Sequence, residues 1–194
     1  MAICIFPGTF NPIHQAHIKM AEFVLQNFDV EKVIFIPSYI PPHKNIDKTI
    51  AFHRLNMVKL AVQGNPNFEV SDIEYKSGGK SGGKKSYTLI TVKKIREKYN
   101  IEGKLNMLIG TDAFSQIRSW YKVDELKELV HFIVFPRETN VINRNEFSDF
   151  DFEIVKAEEI NLSSTELRNG LKTGLNKEVE DYIKEHELYG RLYK

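Results

Sequence analysis

Four short apolar runs punctuate the chain, at Ile3 to Phe6, Lys32 to Ile36, Leu105 to Ile109 and Phe132 to Phe135. Several are rich in β-branched residues and bounded by Gly, Pro, Asp or Asn, which predicts short buried strands. Between the first two runs, Ile18, Ala21, Leu25 and Phe28 recur at i, i+3, i+7 and i+10, the apolar face of one helix. Leu55, Val58 and Val62, and later Val92, Ile95 and Tyr99, place further helices between the later strands. Strand and helix in alternation predict an α/β fold: a doubly wound, mainly parallel sheet with right-handed crossovers, helices on both faces and a small C-terminal helical segment. Ligands of such sheets bind beyond the carboxyl ends of the strands.

Two segments break the alternation. Ser77-Gly78-Gly79-Lys80-Ser81-Gly82-Gly83-Lys84 is a duplicated Ser-Gly-Gly-Lys unit and reads as a flexible, solvated hairpin or loop. It is not a phosphate-binding P-loop, because Lys85 stands where that motif needs Ser or Thr. Arg137 to Asp151 is polar and acidic and reads as a surface connection. Neither marks a linker, so the expectation for residues 1–194 is a single domain.

Composition narrows the function by exclusion. With 42% hydrophobic and 27% charged residues, the chain has the make-up of a soluble globular protein. Its 27 basic and 26 acidic residues nearly cancel, so no global field draws it to nucleic acid or to an anionic membrane, and any phosphate site must be local. Cys4, the only cysteine, lies in an apolar run, which excludes a disulfide framework and a zinc-spaced thiol set. The opening Met1 to Phe6 is too short for a membrane span and lacks a basic leader; the expected location is the cytoplasm.

The candidate chemistry lies where the first strand ends. In Pro7-Gly8-Thr9-Phe10-Asn11-Pro12, Gly8 allows close approach of the backbone to a ligand and Pro12 stiffens the turn. A helix starting near His14 places His14 and His17 at i and i+3, on one side of its first turn and beside the positive end of its dipole. Two imidazoles and free backbone amides there suit a polyphosphate. Taken alone, two such histidines read as ordinary polar residues of a helix start. A metal site is not expected, since the pair lacks a third ligand and the i, i+4 spacing of a zinc helix.

Gly8-Thr9-Phe10-Asn11-Pro12-Ile13-His14-Gln15-Ala16-His17 resembles the Gly-Thr-Phe-Asp-Pro-x-His-x-Gly-His signature of the nucleotidylyltransferase superfamily. Pro41-Pro42-His43-Lys44, Ser86-Tyr87-Thr88, Ile109-Gly110-Thr111-Asp112, Trp120 and Leu162-Ser163-Ser164-Thr165-Glu166-Leu167-Arg168 resemble, in that order, the motifs of bacterial nicotinate-mononucleotide adenylyltransferases. The resemblance spans nearly the whole chain and implies a Rossmann-like fold. Pro7 stands where the family usually has a first Gly, Asn11 replaces Asp, and Ala16 replaces the Gly between the histidines, which implies altered nucleotide contacts.

The implied reaction is in-line attack by a mononucleotide phosphate on the α-phosphorus of ATP, with magnesium entering on the triphosphate. By resemblance, His14, His17, Lys44 and Arg168 serve catalysis. ATP falls to Gly8, Thr9, Phe10, His17, Gly110, Asp112, Ser163, Ser164, Thr165 and Arg168, and the mononucleotide to Lys44, Tyr87, Thr88, Asp112, Trp120 and Tyr121. Each residue also has a plain structural reading. Lys44 is then a solvated lysine, Asp112 a helix N-cap, Trp120 a core residue, and Ser163 with Glu166 a capping box. The resemblance favours nicotinate mononucleotide as acceptor, with nicotinamide mononucleotide, another phosphate acceptor or a non-catalytic sensor as alternatives. It leaves a homo-oligomer open.

Overall fold

The computed structural model describes residues 2–41, 50–80, 85–136, 142–156 and 174–189, with the side chains of residues 77–80 left aside. Six parallel strands form one sheet in the order β3-β2-β1-β4-β5-β6. They are β1 (Ile3–Gly8), β2 (Lys32–Pro37), β3 (Phe68–Val70), β4 (Leu105–Gly110), β5 (Val130–Phe135) and β6 (Phe152–Ile154). The seven α-helices among the described residues are α1 (Gln15–Asn27), α2 (Ala51–Val62), α3 (Ile73–Lys80), α4 (Thr88–Lys98), α5 (Thr111–Phe114), α6 (Val123–Leu129) and α7 (Lys177–Glu185). The Rossmann-like, doubly wound reading of the sequence holds.

Alternate residues of each central strand feed two cores, as a sheet covered on both faces requires. Cys4, Phe6, Val33, Phe35, Leu108 and Ile133 pack with α1, α2 and α7. Ile5, Ile34, Met107, Ile109, Phe132 and Val134 pack with α4, α5 and α6. Cys4 is fully buried, and burial pushes its thiol up to about 12. The expected result is negligible alkylation of Cys4 by iodoacetamide at pH 8 in the native protein and rapid alkylation in denaturant; rapid native labelling would contradict this packing.

Four sequence expectations need correction. Two strands, β3 and β6, are only three residues long and carry no pattern that sequence can register. On α1 the buried stripe is Ala16, Met20, Ala21 and Val24, rotated by about one residue from the predicted face, with Ile18, Leu25 and Phe28 at the core's margin. The first Ser-Gly-Gly-Lys unit continues helix α3 rather than forming a loop, because the helix is anchored upstream by buried Glu74 and Tyr75 and by the Lys76–Asp72 ion pair. Residues 81–84 of the second unit lie outside the described residues.

The polar stretch ending at Asp151 is more than a surface connection. A 3₁₀ turn at Arg144–Phe147 lets Phe147 and Phe150 enter the core beside Phe114. Arg118 covers both rings and pairs with Asp149, and with Lys127 it holds that carboxyl below the usual range.

Candidate active site

The strand order reverses between β1 and β4, which is where a doubly wound sheet opens a crevice for ligands. Strand β1 pairs with β2 along its whole length, Ile3 to Gly8, but with β4 only at Cys4–Asn106 and Ile5–Met107. Beyond Ile5 the two strands have no ladder between them, and Gly8 and Gly110 end on the same side of the gap. The glycine signature and the Ile109-Gly110-Thr111-Asp112 segment thus share one crevice.

Phe10 shapes the loop after β1. Its φ is 45°, and its ring folds back into the core against Phe6 at 5.3 Å and His17 at 5.1 Å. A side chain on Gly8 would lie 2.7 Å from Cζ of that ring. The bare Cα of Gly8 therefore accommodates the Phe10 ring. The residue between them, Thr9, presents its carbonyl to Arg54.

His14 is the N-cap of α1 and His17 its third helical residue, as the spacing predicts. Their rings lie 3.8 Å apart. The His14 amide donates to His17 Nδ1 at 3.2 Å, so that nitrogen is an acceptor and the neutral imidazole carries its proton on Nε2. The helix end is not, however, an array of free amides. The Gln15 amide donates to the Gly174 carbonyl at 2.6 Å and the His17 amide to the His14 carbonyl at 2.9 Å. Fewer backbone amides are open at this helix end than the sequence suggested. Ala16 is buried in the first turn.

Across the crevice, Gly110 caps the short helix α5, so Asp112 lies in its first turn and is not the N-cap. Tyr87 caps α4, with Thr88 its first residue. The Tyr87 and Tyr121 rings lie 4.6 Å apart at 32°, bringing together two residues that the resemblance assigns to the mononucleotide. Tyr121 is exposed, while Trp120 is half-buried against the core that holds Ile117. Lys44, Ser163, Ser164, Thr165 and Arg168 lie outside the described residues.

Sequence reasoning missed a buried polar group beneath the site. Arg54 is 1% exposed in the first turn of α2. Its Nη1 donates to the Thr9 carbonyl at 2.6 Å and its Nη2 to the Tyr39 carbonyl at 3.1 Å. Burial pulls the guanidinium below its ordinary range, opposed by Tyr75, Tyr189 and Glu74. Glu74 accepts from the Thr91 hydroxyl at 2.8 Å and from the Tyr39 amide at 3.2 Å. Burial pushes its carboxyl up, against Ser86, Thr91, Tyr39 and Arg54, which pull it down. A signal for Arg54 did exist: it falls between Ala51 and Val58 on the same apolar stripe as Leu55. Tyr189 was missed too; its hydroxyl donates to Asn11 Oδ1 at 2.8 Å and ties the C-terminal segment to the signature loop.

Known proteins resemble the chain over nearly its whole length. Residues 5–170 match the cytidylyltransferase-like family. A protein of Caldicellulosiruptor bescii named a probable nicotinate-nucleotide adenylyltransferase is 36% identical, covering 98% of this chain and 100% of the relative. The nicotinate-nucleotide adenylyltransferase of Bacillus subtilis is 34% identical, covering 96% and 97% respectively. Among solved structures, Plasmodium falciparum nicotinic acid mononucleotide adenylyltransferase complexed with NaAD superposes with a TM-score of 0.76 at 20% identity over 97% of each chain, a likeness of fold. On these matches, the chain belongs to the cytidylyltransferase-like family and, within it, to the nicotinate-nucleotide adenylyltransferases.

Proposed function

We propose that this enzyme transfers the adenylyl group of ATP to nicotinate mononucleotide, giving nicotinate adenine dinucleotide and pyrophosphate. The observation that carries the reading is the signature loop at the switch point, with His17 fixed as an Nε2–H donor, in a chain whose full-length relatives bear that activity's name. One domain carries both subsites, and the reaction belongs to the cytoplasm. None of the described helices is long and apolar enough to cross a membrane.

A phosphate oxygen of the mononucleotide attacks the α-phosphorus of ATP, the new P–O bond forms, and the bond to the β-phosphate breaks to release pyrophosphate. No protein nucleophile takes part, so catalysis is placement and neutralisation of charge. His17 donates from Nε2 to the oxygens on which charge grows, with His14 beside it. Thr9 and the Gly8 and Phe10 backbone line the ATP side, together with Gly110 and Asp112. Tyr87, Thr88, Trp120 and Tyr121 line the acceptor side. Lys44, Ser163, Ser164, Thr165 and Arg168 complete the phosphate contacts by their motifs. Magnesium is part of the ATP substrate and screens its triphosphate charge. No group of three His, Cys, Asp or Glu that would cage a metal occurs among the described residues.

The test is purified protein with ATP, magnesium and either nicotinate or nicotinamide mononucleotide, reading pyrophosphate and dinucleotide. Product with the acid supports the assignment, and product with the amide alone moves the specificity. ATP binding without product from either indicates a sensor. Trp120→Ala is expected to raise KM for the mononucleotide about tenfold with little change in kcat, a loss of aromatic stacking. An unchanged KM returns Trp120 to a packing role.

A further inference from the structure

Arg54 and Glu74 meet at a single residue. Arg54 donates to the carbonyl of Tyr39, and Glu74 accepts from the amide of the same residue. From there the contacts run outward in both directions. Arg54 also holds the Thr9 carbonyl in the signature loop after β1. Glu74 also accepts from the Thr91 hydroxyl on α4, while Ser86, just before that helix, is tied to the residue after Tyr39: its backbone amide donates to the Ile40 carbonyl at 2.9 Å and its Oγ accepts from the Ile40 amide at 3.3 Å. Ser86 directly precedes Tyr87 and Thr88 at the start of α4.

Both charged residues are buried, at 1% and 8% exposure, and the Nε of Arg54 has no hydrogen-bond partner among the described residues. A buried charge with an unsatisfied nitrogen costs stability, and well-packed apolar residues would serve a purely structural role better. The arrangement uses its polar groups instead to fix main-chain atoms of two loops, at Thr9 and Tyr39, and Ile40 passes the hold on to Ser86.

We infer that Arg54 and Glu74 are positioning residues that hold the ATP-side loop at Thr9 and the acceptor-side segment at Ser86-Tyr87-Thr88 in one register, through the shared peptide groups of Tyr39. Neither touches substrate. Arg54 acts chiefly on the ATP side and Glu74 on the acceptor side. This rests on the proposed reaction for its kinetic consequences, but not for its structural ones.

The test uses the full chain with Arg54→Lys, Arg54→Met and Glu74→Gln. Hydrogen exchange without substrates reads the structure directly. Amides of residues 9–11 are expected to exchange about tenfold faster in the Arg54 variants, and those of residues 39–40 and 86–88 in Glu74→Gln, while β4 and β5 keep their protection. In steady-state kinetics, Arg54→Lys, which keeps the charge but not the two-pronged fork, raises KM for ATP about tenfold. Glu74→Gln, which is nearly isosteric, raises KM for the mononucleotide about tenfold and shifts KM for ATP less than about twofold.

A merely structural role predicts the opposite: lower Tm in the variants, both KM values unchanged in the folded protein, and no exchange confined to the two loops. That result overturns the inference. Should the wild type turn over neither mononucleotide, the proposed reaction fails. The exchange pattern still decides the pinning, confirming it if localised and refuting it if absent.

Discussion

His17→Ala is expected to lower kcat by a factor of about 10² to 10³, the usual effect of removing one preorganised donor to a developing charge. KM for the mononucleotide is expected to stay within about threefold, because the interaction belongs to the transition state rather than to the bound acceptor. The structure gives the residue an orientation as well as a place. Its Nδ1 accepts the His14 amide, and Phe10 and Phe6 flank the ring at 5.1 and 5.8 Å, so the imidazole presents Nε2–H in a fixed orientation. Steady-state kinetics with magnesium–ATP and nicotinate mononucleotide measure both constants. Thermal unfolding of the variant separates catalysis from the lost cap of the His14 amide, which is worth about 1 kcal/mol. Wild-type kcat in His17→Ala would remove the residue from the mechanism.

That prediction differs in emphasis from one drawn from the sequence. In the sequence, free amides at the start of α1 stand beside the two imidazoles as donors to a polyphosphate. Two of these amides already donate inside the protein, one to the Gly174 carbonyl. This contact joins positions about 160 residues apart, a separation at which no local pattern operates. The same limit hid Tyr189, which bonds Asn11, and the meeting of Tyr87 with Tyr121. What could be read was local and periodic: the four longer strands, the stripes of α2 and α4, and His14 and His17 at a helix start.

Arg54 marks the boundary between these two kinds of information. Its position on the apolar stripe of α2 is visible in the sequence, since it stands three residues after Ala51 and four before Val58. Its meaning is not, because a charged residue on such a stripe normally signals an exposed margin. The carbonyls of Thr9 and Tyr39, from two other segments, together with the charge of nearby Glu74, make burial of a guanidinium tolerable there. Glu74 is the converse case: it opens the segment that runs into the glycine repeat, where composition suggested a solvated loop, yet it is buried.

Gly8→Ala is expected to destabilise the protein by about 1–3 kcal/mol, the range for forcing an extra carbon into a packed core. Turnover is expected to fall with it. The added Cβ would meet Phe10 at 2.7, 2.9 and 3.0 Å from three ring carbons. Phe10 has little room to withdraw, being 3% exposed, flanked by Phe6, Phe35 and His17, and already at a φ of 45°. Any movement of the ring is therefore passed to the imidazole beside it. The cause can be isolated in a double-mutant cycle with Phe10→Leu, and with Phe10→Ala, which alone should cost about 3–5 kcal/mol. With the aromatic ring gone, Gly8→Ala should cost less than about 0.5 kcal/mol, since the three atoms nearest the methyl group all belong to that ring. Denaturant unfolding of the six proteins of the two cycles measures the interaction energy. If the two substitutions instead add, the glycine of the signature is present for the ligand and not for Phe10.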